Sequence, residues 1–334
     1  MAHFRREGRV FQQTLKELAS FRCLVPALLV AGASGLAAGL IPVQAIPNPN
    51  PTLQPLVSCA PQRCSRSFGP PVPLGHGSVR GYTITRGGER GPSLQEMGVL
   101  ITASALQGLP QNCVTDDPSP QARWLICQKP AAGTRGKGQM NDTMVTTLKM
   151  PPAALSLANV ADLDVSWLPF GHAPAKVWDK PQFDIHFPLR NPKGGQSEPA
   201  FYAPQTPASQ LPAGYMVLPG SGFHWDTVAL QGHSHAADPK ASPEFAGGPF
   251  LANFLYLNYN GRAIGYEVYA SQSLLASRST YTRALKAPQV SLGTSIVPTE
   301  LTIRYEPLLS LYRVALTGFK SVSQGATAAP GHSH

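Results

Sequence analysis

Residues 163–189 read LDVSWLPFGHAPAKVWDKPQFDIHFPL, and the run Gln182-Phe183-Asp184-Ile185-His186-Phe187 near their end decides the fold. Successive side chains of an extended strand point to opposite faces. Phe183, Ile185 and Phe187 therefore share one face, and Gln182, Asp184 and His186 the other. Residues two apart on a face stand about 6.5–7 Å apart at the usual strand rise. That spacing lets His186 and a neighbour converge on one ion or one hydrogen-bond network. Upstream, Leu163, Val165 and Trp167 alternate with Asp162, Asp164 and Ser166 as a second half-buried strand. Between the two strands, Gly171 and His172 lie in a loop held by Pro169, Pro174 and Pro181.

The same reading extends outward. Strands are predicted at 79–86, 96–102, 143–150 and 215–218, with a short helical turn at 104–108. The runs 250–259 and 263–269 flank Asn260-Gly261, the strongest short-range hairpin signal. Leu301, Ile303 and Tyr305, then Tyr312, Val314 and Leu316, predict a closing hairpin. Residues 271–285 are the best helix candidate, whereas 190–213 and 229–248 read as loops. The expected fold is mainly β, a barrel or sandwich of short antiparallel strands with one or two short helices. Periodicity does not choose between barrel and sandwich.

Composition bounds the rest. The chain has 334 residues, a formal net charge of +9, 13% charged residues, 31 glycines and 34 prolines, which favours strands and loops. Its charges are scattered, and no Lys/Arg run interleaves with aromatics, which excludes nucleic-acid binding. Residues 1–45 read as a secretory signal peptide: Arg5, Arg6, Arg9, Lys16 and Arg22, then an uncharged apolar stretch at 23–41, then Val43-Gln44-Ala45. An uncleaved anchor is the competing reading. Gly32, Gly35, Gly39 and Pro26 weaken that helix and favour cleavage. The expectation is an exported chain, periplasmic or extracellular, with no stable membrane insertion once the leader is gone. A proline-rich linker follows at 46–74, a single domain at 75–320, and a disordered tail at 321–334.

Cys59, Cys64, Cys113 and Cys127 remain after the leader. An even count in an exported chain predicts two disulfides. Cys59–Cys64 and Cys113–Cys127 are the expected pairs among three connectivities. None of the four has zinc-knuckle spacing.

Four residues stand out chemically: His172, His186, His224 and Glu267. Three imidazoles and a carboxylate from separate strands make a metal-ligand set suited to zinc, iron, manganese or copper. Gln182 and Asp184 fall at the edge of that sphere, where a carboxylate can orient a ligating histidine. The competing reading is structural. His186 is then hydrogen-bonded inside the fold, His172 braces its proline loop, and Glu267 pairs with Arg262 or Arg304. Gly220-Ser221-Gly222 is not a G-x-S-x-G nucleophile elbow. His233-Ser234-His235 and His332-Ser333-His334 read as a solvated loop and tail.

Trp167…Pro169-Phe170-Gly171-His172-Ala173-Pro174, Pro181-Gln182-Phe183-Asp184-Ile185-His186-Phe187 and Gly222-Phe223-His224-Trp225 together resemble an uncharacterised family of exported bacterial domains, the Thermus TTHB-like domain of unknown function. Its members read W-x-P-x-G-H-x-P, P-H-F-D-x-H-F and G-x-H-W. Pro243-Glu244-Phe245, Tyr259-Asn260-Gly261 and Glu267 also fit, and the match covers about residues 75 to 320. Gln182 stands where the family has a histidine, and Val268-Tyr269 where it has Pro-Met. The resemblance implies a shared His/Glu site and names no reaction. Two functions are therefore expected as alternatives. One is an exported divalent-metal binder. The other is a non-enzymatic envelope protein that binds a partner or forms a homo-oligomer through the 250–269 hairpin and the proline arm, its histidines being structural.

Overall fold

The alternation at 182–187 folds as a strand, and both of its faces are buried: Gln182, Phe183, Asp184, Ile185, His186 and Phe187 all have 0% exposure. The computed structural model describes residues 63–109, 126–128, 143–169, 171, 176–190, 211–218, 224–225, 231–259, 262–288 and 296–322. All of them belong to one compact unit, Val43–His334. The described strands begin with β1 (Cys64–Phe68), β2 (Val72–Leu74), β3 (Gly77–Arg86), β4 (Ser93–Thr102), β5 (Ile126–Gln128) and β6 (Thr143–Lys149). Helix α1 (Pro152–Ala158) precedes β7 (Asp162–Leu168), β8 (Gln182–Pro188), β9 (Met216–Val217), β10 (His224–Trp225) and β11 (Gln231–Ala237). The hairpin β12 (Ala252–Tyr259) and β13 (Arg262–Ser271) leads into helix α2 (Gln272–Ser277) and β14 (Tyr281–Ala284). Last come β15 (Ile296–Val297), β16 (Glu300–Glu306), β17 (Leu311–Thr317) and β18 (Lys320–Ser321).

These strands form two large antiparallel sheets. The first runs β1-β3-β4-β17-β16-β14, with β2 beside β3; the second runs β10-β11-β12-β13-β8-β7-β6-β5, with β9 beside β11. Neither sheet closes on itself, so the architecture is a sandwich rather than a barrel. Its core joins Val79, Val99, Ile101, Val314 and Ile303 of the first sheet to Leu163, Val165, Phe183, Ile185, Phe254 and Val268 of the second. Aromatic pairs tie neighbouring strands of the second sheet. Trp167 and Phe183 lie 4.9 Å apart and Phe254 and Tyr266 5.8 Å apart by ring centroids. Such pairs contribute about 0.5–1.5 kcal/mol each beyond burial.

Several expectations are corrected here. Order begins before residue 75, because β1 and β2 join the first sheet from within the stretch read as linker. The helix expected over 271–285 is confined to α2. Its N-cap Ser271 accepts from Leu274 N–H, and Arg278 ends it in the left-handed conformation, at φ 56°. Tyr281-Thr282 then extend as β14 against β16. The strand predicted at 143–150 ends at Lys149, before Pro151-Pro152, and α1 follows with Pro152 in its first turn, where a missing N–H costs nothing. The loop expected at 229–248 contains β11. Within the 250–269 hairpin, Phe254, Leu255, Tyr256, Tyr266 and Tyr269 are buried within the chain, and Leu251 is exposed.

Candidate functional site

The outer face of the second sheet, away from the sandwich core, is polar and covered. It carries Asp164 and Ser166 from β7, Gln182, Asp184 and His186 from β8, Glu267 and Tyr269 from β13, and His235 from β11, each with 0% exposure. An antiparallel sheet with one face on a core ordinarily turns the other to water. Here a second apolar cluster of Trp178, Leu218, Ala237, Phe250, Leu255 and Tyr269 lies over it, joined by Phe245. Trp178 anchors this cover, edge-on to Tyr269 at 5.0 Å and to Phe245 at 5.4 Å. Its indole N–H donates to Glu244 Oε1 at 3.2 Å, and Asn253 Nδ2 donates to the same oxygen at 2.6 Å. Gly171 fixes the start of the covering loop. Its φ is +64°, and a Cβ there would stand 2.0 Å from the Trp178 carbonyl oxygen, so no other residue fits without a shift.

Strand register brings the central residues together. Glu267 on β13 stands opposite His186 on β8, and His186 stands opposite Asp164 on β7. His235 is opposite Leu257 on β12, one strand beyond β13. Glu267 Oε1 lies 2.8 Å from His186 Nε2, and Glu267 Oε2 lies 2.8 Å from His235 Nε2. An ionised carboxylate only accepts hydrogen bonds, so each Nε2 stands where it can donate to Glu267. The Tyr269 hydroxyl approaches His235 Nε2 at 3.5 Å. Burial pushes the Glu267 carboxyl up, but the two imidazoles beside it outweigh burial and hold it well below the usual carboxylate range.

Of the residues singled out in the sequence, His186 and Glu267 are therefore brought into contact. Glu267 pairs with two histidines rather than with Arg262 or Arg304; Arg304 pairs with Glu306 at 2.7 Å. Gln182 Nε2 donates to Asp184 Oδ1 at 2.6 Å on the same face. The backbone of His224 lies in β10, opposite His233, and its side chain is outside the described residues. His172 and the tail histidines His332 and His334 also lie outside them. Cys64 is disulfide-bonded, and the side chains of Cys59, Cys113 and Cys127 are not among those described.

His235 is the functional residue that sequence reasoning missed. Gly232-His233-Ser234-His235 reads as a flexible loop, yet His235 has 0% exposure in β11. The period-two placement of His233 and His235 was the available signal for a strand. Chemically, the triad joins three strands through one carboxylate, with one imidazole nitrogen against each of its oxygens. Among the described residues, no group of three or more His, Cys, Asp or Glu has the spacing of a metal cluster. No protein-family model, curated protein or solved structure matches the chain.

Proposed function

We propose that this chain is an exported protein that binds a divalent transition-metal ion at His186, His235 and Glu267, with His172 and His224 as candidate further ligands. The supporting observation is the buried Glu267 carboxylate with an imidazole nitrogen 2.8 Å from each oxygen. Imidazole nitrogen and carboxylate oxygen suit zinc, iron, manganese or copper. Around an ion, ligand atoms at about 2.0–2.2 Å from the metal stand about 3.3 Å apart in a tetrahedron. The triad therefore opens by about half an ångström on loading, as the ion replaces the two Nε2 protons. Loading releases protons and weakens as pH falls. The motifs shared with the exported domain family include His172, His186, His224 and Glu267, which is consistent with this set. The role is binding, and no reaction is assigned.

A second reading rests on an observation of its own: the described residues lack a cluster with metal-centre spacing. Under it, Glu267 is a hydrogen-bonded brace between β8, β13 and β11, and the chain is a non-enzymatic envelope protein that binds a partner or assembles as a homo-oligomer. Calorimetric titration of the metal-stripped exported chain with Zn²⁺ or Mn²⁺ separates the two. The metal reading expects a saturable single-site isotherm that is absent in Glu267→Gln. Heats no larger than dilution count for the brace.

A further inference from the structure

The first sheet, like the second, has an outer face that water does not reach. Tyr82, Ile84, Leu100, Leu311 and Ala315 project from β3, β4 and β17 on the side away from the sandwich core, and each has 0% exposure. Glu96 and Arg313 lie among them, also at 0%, as an ion pair at 3.5 Å. In a two-sheet sandwich such a face ordinarily turns to water. Side chains of one sheet bury each other's flanks but not their outward ends, so a further layer must lie over them. Among the described residues, the apolar cluster is completed by Cys64 and Phe68 of the edge strand β1 and Leu309 of the β16–β17 turn. All three belong to the same sheet or its turn, so none of them spans the face.

We infer that the proline arm of this same chain, residues 46–62, lies across that face as the further layer. The arm is outside the described residues; its sequence and its point of entry select it. It enters the domain at Cys64, whose side chain belongs to the cluster and is disulfide-bonded. Cys59 is the expected partner, and a bridge holds two Cα atoms within about 4.4–6.8 Å of each other, which turns the arm back at the edge of this face. The run IPNPNPTLQPLVSCAPQ carries no charge, as a layer over an apolar face requires. Its prolines favour the polyproline II helix, which needs no hydrogen-bonded partner strand and which aromatic surfaces of the kind Tyr82 and Phe68 supply recognise. Reach is ample. Residues 46–58 extend about 40 Å at about 3.1 Å each, and β1 to β17 spans three strand spacings, about 14 Å. The inference is independent of the metal reading, which concerns the other sheet.

The test is photo-crosslinking of the intact chain in dilute solution, with p-benzoylphenylalanine in place of Leu56 and the products mapped by peptide mass spectrometry. Crosslinks within one chain to the peptides of β3, β4 or β17 are expected. Crosslinks to the second sheet, or none, overturn the inference. Crosslinks to those strands of another copy overturn it equally, since the occupant is then a second molecule. Hydroxyl-radical footprinting of the chain carrying Leu53→Asp, Leu56→Asp and Val57→Asp gives a readout that does not depend on the probe. Oxidation of Tyr82 should rise to the level of the unfolded chain, while Tyr269, under the cover of the second sheet, stays protected. Tyr82 still protected in that variant overturns the arm as the layer. If Tyr269 loses protection with it, the variant is unfolded and the crosslink map decides.

Discussion

Trp178 and Glu244 lie 66 residues apart in the chain, and the indole N–H of one donates to the carboxylate of the other at 3.2 Å inside the cover of the second sheet. This contact fastens the loop after β7 to the turn that carries Pro243-Glu244-Phe245. It thereby keeps water from the polar face beneath. Trp178→Phe keeps an aromatic ring in the cover while removing the donor and part of the buried ring volume. It should lower stability by about 1–3 kcal/mol, through the lost hydrogen bond and some lost packing, because Glu244 Oε1 keeps Asn253 as a donor. Trp178→Ala should cost about 3–5 kcal/mol through the cavity it leaves. Urea denaturation of the two variants checks the difference.

Glu267 should be the most sensitive polar position of the fold. Replacing it by alanine leaves two histidines facing each other in a buried site, which should cost about 3–5 kcal/mol. His186→Ala and His235→Ala should be non-additive with it, since each loses the same partner. A double-mutant cycle on unfolding free energies measures this. Additivity to within about 0.5 kcal/mol would mean that the three side chains do not act as a unit.

Most of the β architecture was legible in the sequence, and the failures have physical causes. β7, β8, β12 and β13 announce themselves because one of their faces is largely apolar. β11 does not: its Gly-His-Ser-His-Ala-Ala run has no apolar alternation, and pairing with β12 and β9 makes it a strand. His186 and Glu267 were legible as polar residues isolated among apolar ones. His235 was not, because its role depends on a register two strands away. Nor does alternation reveal that the polar face is covered, since Trp178, Phe245 and Phe250 arrive from distant loops.

On the first sheet, Arg313 has 0% exposure and lies 3.5 Å from Glu96 and 3.4 Å from Glu306. Glu96 is fully buried and also accepts from the Tyr82 hydroxyl at 3.2 Å, whereas the Glu306 side chain is 17% exposed. Removing Glu96 should therefore cost about 3–5 kcal/mol, and removing Glu306 less, because water reaches its place. Thermal melts of Glu96→Ala and Glu306→Ala should rank in that order.

Alkaline pH should unfold the chain through its tyrosines. Burial pushes the Tyr215 phenol up to about 12 from 10.0, and burial also raises Tyr82, Tyr256 and Tyr266. A phenol raised in the folded state keeps its proton while the unfolded chain ionises. Its contribution is full below pH 10 and is lost as pH climbs from about 10 towards 12. Ultraviolet titration should show a cooperative tyrosinate transition coincident with loss of far-ultraviolet circular dichroism. Ionisation of these phenols near pH 10 with the fold intact would contradict their burial.

Gly171→Ala should destabilise by more than the roughly 1 kcal/mol of a left-handed alanine, because its Cβ would meet the Trp178 carbonyl oxygen. The melting temperature should fall, and Trp178 fluorescence should shift to the red as the cover loosens. An unchanged spectrum and melt would show that the loop tolerates a Cβ at this position.

The proposal of a metal bound by His186, His235 and Glu267 is tested most directly by elemental analysis of the chain purified from metal-replete medium, beside its Glu267→Gln variant. The expected result is about one equivalent of a transition metal in the wild type and a small fraction of that in the variant. Less than about a tenth of an equivalent in a folded wild-type chain would contradict it, and leave the triad as a hydrogen-bonded brace.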